Sequence, residues 1–253
     1  MRLYDIDRYF RDVIAIDELS AIDDSDNGIQ VGRPSADISR VAFAVDACME
    51  SFRRAASWNA DLIFVHHGLF WGRSVMITGG HYERLKFLID NDLALFAAHL
   101  PLDRHLDIGN NAVMANKLHL SDVEPFGEYH GVKIGVKGLL PRELSIDAIL
   151  ESLSLDRDSC NAVLPFGKSE IRSVGIVSGG ATRETEQAIR EKLDLYITGD
   201  AAHEVYHLCL EERINLICGG HYRTEIWGVS TLAEKLKQDT GLDACFIDIP
   251  TGL

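Results

Sequence analysis

The sequence predicts an α/β protein made of two α/β domains with largely parallel sheets. Short apolar runs rich in β-branched residues alternate with segments of helical periodicity, first over residues 40–98 and again over residues 173–249. Between these two series, glycines interrupt short β-like pieces and the alternation is lost. We therefore predict a first domain at residues 1–120 plus 215–253 and a second domain at residues 121–214.

The first series follows an amphipathic helix predicted over residues 2–14, in which Leu3, Ile6 and Phe10 recur at helical spacing. The pattern then predicts three strands separated by two helices. The strands lie at 41–45, 61–65 and 93–98, and the helices at 49–59 and 82–91. Because strand–helix–strand units join parallel strands by right-handed crossovers, these strands are expected in one parallel sheet.

The second series follows a less regular segment at 117–172. That segment contains a strand piece at 132–136 and a helix at 144–153, for which Ser145 is the candidate N-cap. Beyond it, strands are predicted at 174–177, 195–198, 216–218 and 244–249, with helices at 183–193, 203–213 and 225–239. The chain thus carries two α/β halves.

The composition is that of an ordinary globular protein, with 46% apolar and 25% charged residues among 253. A formal net charge of −14 argues against a nucleic-acid-binding protein, because phosphate contacts need clustered Lys and Arg. The five cysteines form no C-x-x-C pair, which disfavours a disulfide framework or a cysteine zinc site. Neither a secretory pattern nor a membrane-spanning apolar run occurs, so we expect a cytoplasmic protein.

Metal-binding side chains follow three of the predicted strands. His66 and His67 end one apolar run, His99 and Asp103 end the next, and His221 follows the run at 216–218 with Glu225 four residues later. Ligands of open α/β sheets gather at the carboxyl ends of the strands. We therefore expect a metal site at these strand ends, near the interface of the two domains, with the chemistry of a hydrolytic site that holds one or two ions.

Each motif alone has a structural alternative. His66 and His67 are neighbours on a strand and would point to opposite faces, unless the turn at Gly68 brings both inward. Asp103 could cap the turn that follows it, with His99 hydrogen-bonded inside the core. Three weak motifs of compatible chemistry at three strand ends nevertheless favour a metal site over three separate structural roles.

The pair His221 and Glu225 has an i, i+4 spacing, which on a helix places both side chains on one face. A glutamate in that position can bridge two cations through its two oxygens. The alternative is that Glu225 complements the dipole at a helix N-terminus.

Two further strand ends carry polar or glycine residues. Asp200 could act as a second-shell base or contact a substrate, or it could be the N-cap of the next helix. The pair Gly179–Gly180 could hold an anion through backbone N–H groups, although a tight turn explains it as well. His203 and His207 share a helix face near Asp200 and are the next candidates for a functional role.

Taken together, these segments resemble the Nif-three-like dinuclear metal family, whose members are often called GTP cyclohydrolase I type 2 homologues. The similar segments occur in order along most of the chain, namely Asp26–Gly32, Val65–Trp71, His99–Asp103 with Gly109–Ala112, Ile197–Asp200 and Gly220–Glu225. The chain is most similar to the short bacterial members of the family.

The resemblance implies two divalent metal ions, held by the side chains of His66, His67, Asp103, His221 and Glu225, with Glu225 bridging. The ions would be Fe, Mn, Zn or Mg, since this donor set does not select one. The resemblance also implies a second-shell or auxiliary ligand role for His99, and a homohexameric ring. Arg223 departs from the small residue expected in the G-H-x-x-T-E segment and could narrow the pocket or contact an anionic substrate.

The first functional hypothesis is a dinuclear metal-dependent hydrolase that acts on a small nucleotide or cyclic substrate, with Asp200 or His99 as proton carrier. The alternative is a non-catalytic metal-binding ring, a scaffold or partner-binding protein whose ions are structural. Five protein ligands over two ions would leave positions open for water, which favours the hydrolase.

Overall fold

The computed structural model describes residues 1–35 and 37–253, and its contacts divide into two compact units. The first unit comprises Met1–Leu102 and Val229–Ile249, and the second comprises Asp103–Gly228 and Pro250–Leu253. Each unit carries one β-sheet with helices, so the predicted α/β class with two α/β domains is confirmed. Among the described residues, no helix combines the length and the apolar character needed to cross a membrane.

The helices and strands of the first unit follow the first predicted series closely. Its helices are α1 (Leu3–Ile14), α2 (Met49–Ser57) and α3 (Gly79–Asp90), and its strands are β1 (Gly28–Val31), β2 (Arg40–Asp46), β3 (Leu62–His67), β4 (Ala94–Ala97) and the late strand β11 (Asp243–Phe246). The short helix α4 (Leu100–Arg104) follows β4. Within the described residues the strand order is β1-β4-β3-β2-β11, with only β1 antiparallel to its neighbour.

Aromatic packing fixes α1 on the first sheet. Phe10 of α1 lies with its ring centroid 4.9 Å from those of both Phe64 and Phe96, and 6.1 Å from that of Phe43. All four side chains are fully buried. The three sheet residues are paired across the adjacent strands β2, β3 and β4. The apolar face of α1 therefore covers the middle of these three strands.

The second unit has more varied strand pairing. Its helices are α5 (Asn110–Lys117), α6 (Ile146–Ser152), α7 (Thr185–Arg190), α8 (Val205–Glu212) and the first turns of α9 (His221–Thr240), and its strands are β5 (Ser121–Tyr129), β6 (Val132–Leu144), β7 (Ala162–Pro165), β8 (Ile171–Ile176), β9 (Leu195–Thr198) and β10 (Asn215–Cys218). The order is β5-β6-β8-β9-β10-β7 among the described strands, and only β8, β9 and β10 run parallel to one another. The long β5–β6 hairpin makes this sheet more mixed than predicted, while Ser145 caps α6 as expected by accepting from the Ala148 amide.

The division into units differs from the predicted boundaries at residues 103–120, 215–228 and 250–253. β10 belongs to the second sheet, because it pairs with β9 on one side and β7 on the other. α5 also belongs to the second unit, since Met114, Ala115 and Leu118 pack into its core. Sequence periodicity detects a strand or a helix but not which neighbour buries it, so residues 103–120 and 215–228 were predicted in the first domain.

The two units repeat one strand arrangement. In each, three parallel strands are followed at the edge by an antiparallel strand: β2-β3-β4 with β1, and β8-β9-β10 with β7. The register also repeats, because Val41 pairs with Leu62 as Val174 pairs with Leu195. Likewise Gly28 pairs with Ala97 as Ala162 pairs with Cys218. Equivalent strand ends can therefore be compared residue by residue.

In each sheet, an aspartate just before the central parallel strand binds the backbone amides at the start of the neighbouring strand. Asp61 accepts hydrogen bonds from the Ser39 and Arg40 amides at 2.7 and 3.0 Å, and its other oxygen lies 2.7 Å from Arg33. Burial opposes the charged form of Asp61, but these partners outweigh it and lower the pKa of its carboxyl to about 2. Asp194 binds the amides at the start of β8 in the same way.

We expect Asp61→Asn to destabilise the protein by about 2 kcal/mol near neutral pH, since a depressed pKa stabilises the fold wherever the carboxylate is ionised. The difference from wild type should be complete above the unfolded pKa, near 3.9, and shrink as the pH falls towards 2. Urea unfolding across this range measures it, with Asp12→Asn on the exposed side of α1 as control. A difference that does not change with pH would contradict this account.

Candidate metal centre

In the first unit, His66 and His67 close strand β3, and both rings are held from their Nδ1 atoms. The Nδ1 atom of His66 lies 3.0 Å from the Ala98 carbonyl, and that of His67 lies 2.8 Å from Oδ1 of Asp46. A carbonyl oxygen only accepts, so His66 carries its proton on Nδ1 and keeps a lone pair on Nε2. The ring centroids are 4.7 Å apart, so the end of the strand brings both imidazoles together.

His99 joins these two imidazoles from the end of β4. Its ring centroid lies 5.1 Å from that of His66 and 5.7 Å from that of His67. One ring nitrogen from each of the three residues lies within 4.8 Å of those of the other two. The first unit therefore presents three imidazoles whose spacing suits a cation.

In the second unit, Asp103 is buried and its carboxylate is oriented by two donors. The Nδ2 group of Asn110 and the hydroxyl of Ser178 each donate to Oδ1 at 2.8 Å. Asn111 supports the same corner, because it donates to the Asp103 carbonyl and accepts from the Ser178 amide. The predicted alternative of a surface turn cap does not fit this buried position.

His221 and Glu225 form the second half of this unit's donor set. α9 begins at His221, and the His221 Nε2 atom lies 3.3 Å from Oε1 of Glu225, so the i, i+4 spacing places both groups on one helix face as predicted. Burial disfavours the charged imidazole, but hydrogen bonds and charges of Glu225 and Asp200 outweigh it and raise the pKa of His221 to about 10. In the metal-free protein, a proton on Nε2 of His221 thus lies between this nitrogen and Oε1 of Glu225, the two atoms that could bind a cation.

The Gly179–Gly180 turn closes against this pair. Gly179 has a φ of +66°, and a Cβ atom there would collide with Oε1 of Glu225 and lie 3.2 Å from Nε2 of His221. The amide of Gly179 donates to Thr224 Oγ1, which ties the turn to α9. Only six residues form α7 beyond this turn, so its role here is close backbone approach to the two side chains rather than anion binding.

Asp200 orients His221 and does not cap a helix. Its Oδ2 atom lies 3.0 Å from His221 Nδ1, and the N-cap of α8 is Glu204. The carboxylate is partly exposed, at 44% of its side-chain surface. The structure thus places Asp200 beside the candidate ligand His221, with part of its carboxylate in solvent.

Arg223 and three further histidines make other contacts. Arg223 donates to the Ser159 hydroxyl. His203 and His207 line a pocket of about 440 Å³ with Tyr206 and several alanines. His105 accepts from the Asp107 amide and so has a local structural role.

Several residues that hold the donors in place were not predicted from the sequence. They are the partners of His67, His99 and Asp103, namely Asp46, Asp23, Asn110 and Ser178. Asp46 ends β2 and Ser178 is the second residue after β8, so the strand-end rule that found the histidines could have found them too. Asp23 does not follow a strand in the sequence, and no sequence signal connects it with His99.

The donor set fits a divalent transition metal. Imidazole nitrogens and carboxylate oxygens are ligands for Zn, Fe and Mn. Metal-binding histidines characteristically donate their other ring N–H to a carboxylate or a backbone carbonyl, which is the pattern at His66, His67 and His221. The residues present could therefore hold a metal ion.

Comparison with known proteins gives consistent similarities. The sequence profile of the family Duf34/NIF3 (NGG1p interacting factor 3) matches residues 1–252. A protein of Archaeoglobus fulgidus named GTP cyclohydrolase 1 type 2 homolog is 44% identical over 253 residues, which is 100% of both chains. A solved structure from Thermus thermophilus has a TM-score of 0.88 at 35% identity, and that of the protein ybgI, titled as of unknown function, has 0.91 at 28%; each covers 100% of both chains.

We expect Glu225→Gln to remove at least one metal ion per chain, because the amide keeps the size of the side chain but loses the charge that offsets a cation. Elemental analysis of anaerobically purified protein measures the content, beside wild type and the exposed Glu211→Gln control. Retention of the full wild-type content would exclude Glu225 as a ligand.

Proposed function

The chain belongs to the Duf34/NIF3 family, and we propose that it is a dinuclear metal-dependent hydrolase. The observation that carries the proposal is the hydrogen bonding of the imidazoles. His66, His67 and His221 each have Nδ1 bound to an oxygen, so each presents Nε2 in a fixed direction. A core histidine also satisfies its ring nitrogens, but several imidazoles oriented in this way beside carboxylates are the pattern of metal ligands.

The proposed ligands of the two ions are the five side chains predicted from the sequence: His66, His67, Asp103, His221 and Glu225. Glu225 is the proposed bridging ligand by resemblance to the family, and its burial supports this role because a carboxylate 2% exposed needs positive partners. Five ligands are few for two ions, so coordination positions remain for water and substrate. Fe, Mn, Zn and Mg are all compatible with this set.

The protein's own residues orient and exchange protons at this site. Bound divalent ions would supply Lewis acidity towards water and towards the substrate's electrophile. Asn110 and Ser178 fix the Asp103 carboxylate, so its coordinating direction is set before an ion arrives. Asp200 is the proposed proton carrier, because it is bonded to His221 and partly exposed to solvent. His99 could serve as a second carrier only through Nε2, since Asp23 occupies its Nδ1.

The proposed substrate is a small nucleotide or another cyclic compound that is opened by hydrolysis. Support comes from the relatives, several of which are named GTP cyclohydrolase 1 type 2 homolog. Since one fold and site can serve several substrates, the name guides the choice of compounds for the first screen.

We expect anaerobically metal-loaded wild type to hydrolyse GTP or a simple cyclic phosphoester with Mn²⁺, Fe²⁺ or Zn²⁺. Asp103→Asn should lower kcat/KM by at least about a hundredfold, because ligand loss removes an ion or misplaces it. Chromatographic product analysis measures turnover, with the exposed Glu211→Gln as the control. A wild type that binds two ions and turns over none of these substrates would favour the alternative of a non-catalytic metal-binding scaffold.

We also propose a homo-oligomer, a hexameric ring by resemblance to the family. Consecutive apolar side chains in the loop before α3 support an interface there: Val75, Met76 and Ile77 are 44%, 82% and 58% exposed. An exposed apolar cluster of this kind is typical of an interaction surface.

A cytoplasmic location is proposed as well, since the described cysteines are all free thiols.

We expect light scattering coupled to size-exclusion chromatography to show a hexamer for wild type and a smaller species for Met76→Glu, which places a charge in the proposed interface. Tyr4→Glu, at an exposed position of α1, should leave the mass unchanged. A monomeric wild type would contradict the oligomer without bearing on the metal site.

A further inference from the structure

A pocket of about 440 Å³ lies between the edge strand β7 and the helix α8 of the second unit. The strand contributes Ala162 and Leu164, which are two residues apart and so lie on one face of β7. The loop before α8 contributes Ala201 and Ala202. Three of these four side chains are single methyl groups, so strand and helix leave a gap that larger residues would fill.

The other wall of the pocket is aromatic and polar. It is formed by His203, Tyr206 and His207. The ring of Tyr206 lies edge to face with those of Phe166 and His207, at centroid distances of 5.2 and 5.3 Å and with planes at 82° and 83°. These contacts fix the Tyr206 ring, yet the residue is 46% exposed and keeps part of its surface free. An apolar cavity with a few convergent polar groups is the usual form of a small-molecule site.

The pocket lies at the carboxyl edge of the second sheet. Ala162 pairs with Cys218, the last residue of β10, and Cys218 pairs with Thr198, the last residue of β9. Asp200 and His221 follow these two strand ends by two and three residues. Ligands of sheets with parallel strands gather at this edge, so the pocket stands where a substrate is expected.

The walls of the pocket continue directly into the surroundings of Asp200. Ala201 is the next residue in the chain, and Asn161, just before β7, donates to the Gly199 carbonyl at 3.4 Å. The Oδ2 atom of Asp200 lies 3.0 Å from Nδ1 of His221. The lining of the pocket therefore begins one residue from the proposed proton carrier.

We propose that this pocket binds the flat heteroaromatic ring system of the substrate, with Tyr206 against a ring face and His203 and His207 at its polar edge. The inference deepens the proposed function, because it takes the nucleotide or cyclic substrate class from it and adds where the ring system binds. An exposed aromatic side chain suits such a ligand, since every base has a face on which it can stack. The volume suits it too, as small-molecule pockets span about 300–1,000 Å³. The three side chains are then specificity-determining residues.

The test is binding of adenosine, guanosine and cytidine to the full-length, metal-free protein, measured by isothermal titration calorimetry. We expect saturable binding of at least one nucleoside at millimolar concentration or below. Tyr206→Ala should weaken it about tenfold through loss of stacking, whereas Tyr206→Phe keeps the ring and should bind within about twofold of wild type. Leu210→Ala is the matched control, because Leu210 is exposed on the same face of α8 outside the pocket. Absence of binding by all three nucleosides, or unchanged affinity in folded Tyr206→Ala, would overturn the proposal.

A second readout locates the nucleoside without a variant. In wild type labelled with ¹⁵N-histidine, the bound nucleoside should shift the ring signals of His203 and His207 and leave that of His130, in the β5–β6 turn, in place. Unshifted signals of the two pocket histidines would overturn the proposal. So would a pocket covered by a second copy of the chain, in which case Tyr206→Ala and Leu210→Ala would both lower the oligomer mass and no nucleoside would bind.

The proposed function and the pocket fail in different ways. If nucleosides bind in the pocket and the metal-loaded protein hydrolyses none of its test substrates, the hydrolase fails and the pocket stands. If the metal-loaded protein hydrolyses a nucleotide and Tyr206→Ala leaves KM unchanged, the hydrolase stands and the pocket fails, because a binding contact for the ring must appear in KM.

Discussion

The hydrogen bond from an imidazole Nδ1 to a fixed oxygen is the interaction on which this site depends. A histidine has two tautomers and a ring that can turn, so a ligand without such a bond must be ordered when the ion binds. Here the oxygens belong to the sheet or to buried side chains: the Ala98 carbonyl for His66, Asp46 for His67 and Asp23 for His99. The rings therefore lose their rotational freedom when the chain folds, before a metal ion binds. This requires each strand to end beside the oxygen that orients its histidine.

The repeated sheet arrangement explains why suitable positions recur along the chain. Parallel strands end at one edge, and a shared register brings the ends of neighbouring strands to the same level. In each unit an aspartate fastens the opposite end, Asp61 or Asp194, by binding the amides at the start of the adjacent strand. The two aspartates fix the register, and the register decides which residue stands at the strand end. His67 and Asp200 occupy equivalent register positions at the ends of the central strands β3 and β9. His67 is a proposed metal ligand, whereas Asp200 orients the proposed ligand His221.

Sequence reasoning reached the fold class and most strands because both depend on local periodicity. β9 was predicted with the observed bounds, and the strand-end rule selected the histidines, since a ligand's own position is local information. The sequence could not assign β10 to the second sheet, because three apolar residues fit either core. It also could not find Asp23, because its contact with His99 spans a separation of 76 residues and leaves no pattern. His99 was given a second-shell or auxiliary ligand role by resemblance to the family, and the structure places its ring beside those of His66 and His67.

Proton and metal compete for the same atoms in the second unit. Glu225 is buried, and a buried carboxylate without a positive partner would cost several kcal/mol. In the absence of metal the protonated His221 supplies that partner, which is why the pKa of the imidazole is raised to about 10. A cation that binds both groups must displace this proton, so its apparent affinity falls as the pH drops below that value. The same pairing that offsets the buried charge of Glu225 in the metal-free protein therefore makes metal binding weaker in acid. Asp200 accepts a hydrogen bond from the other ring nitrogen of His221.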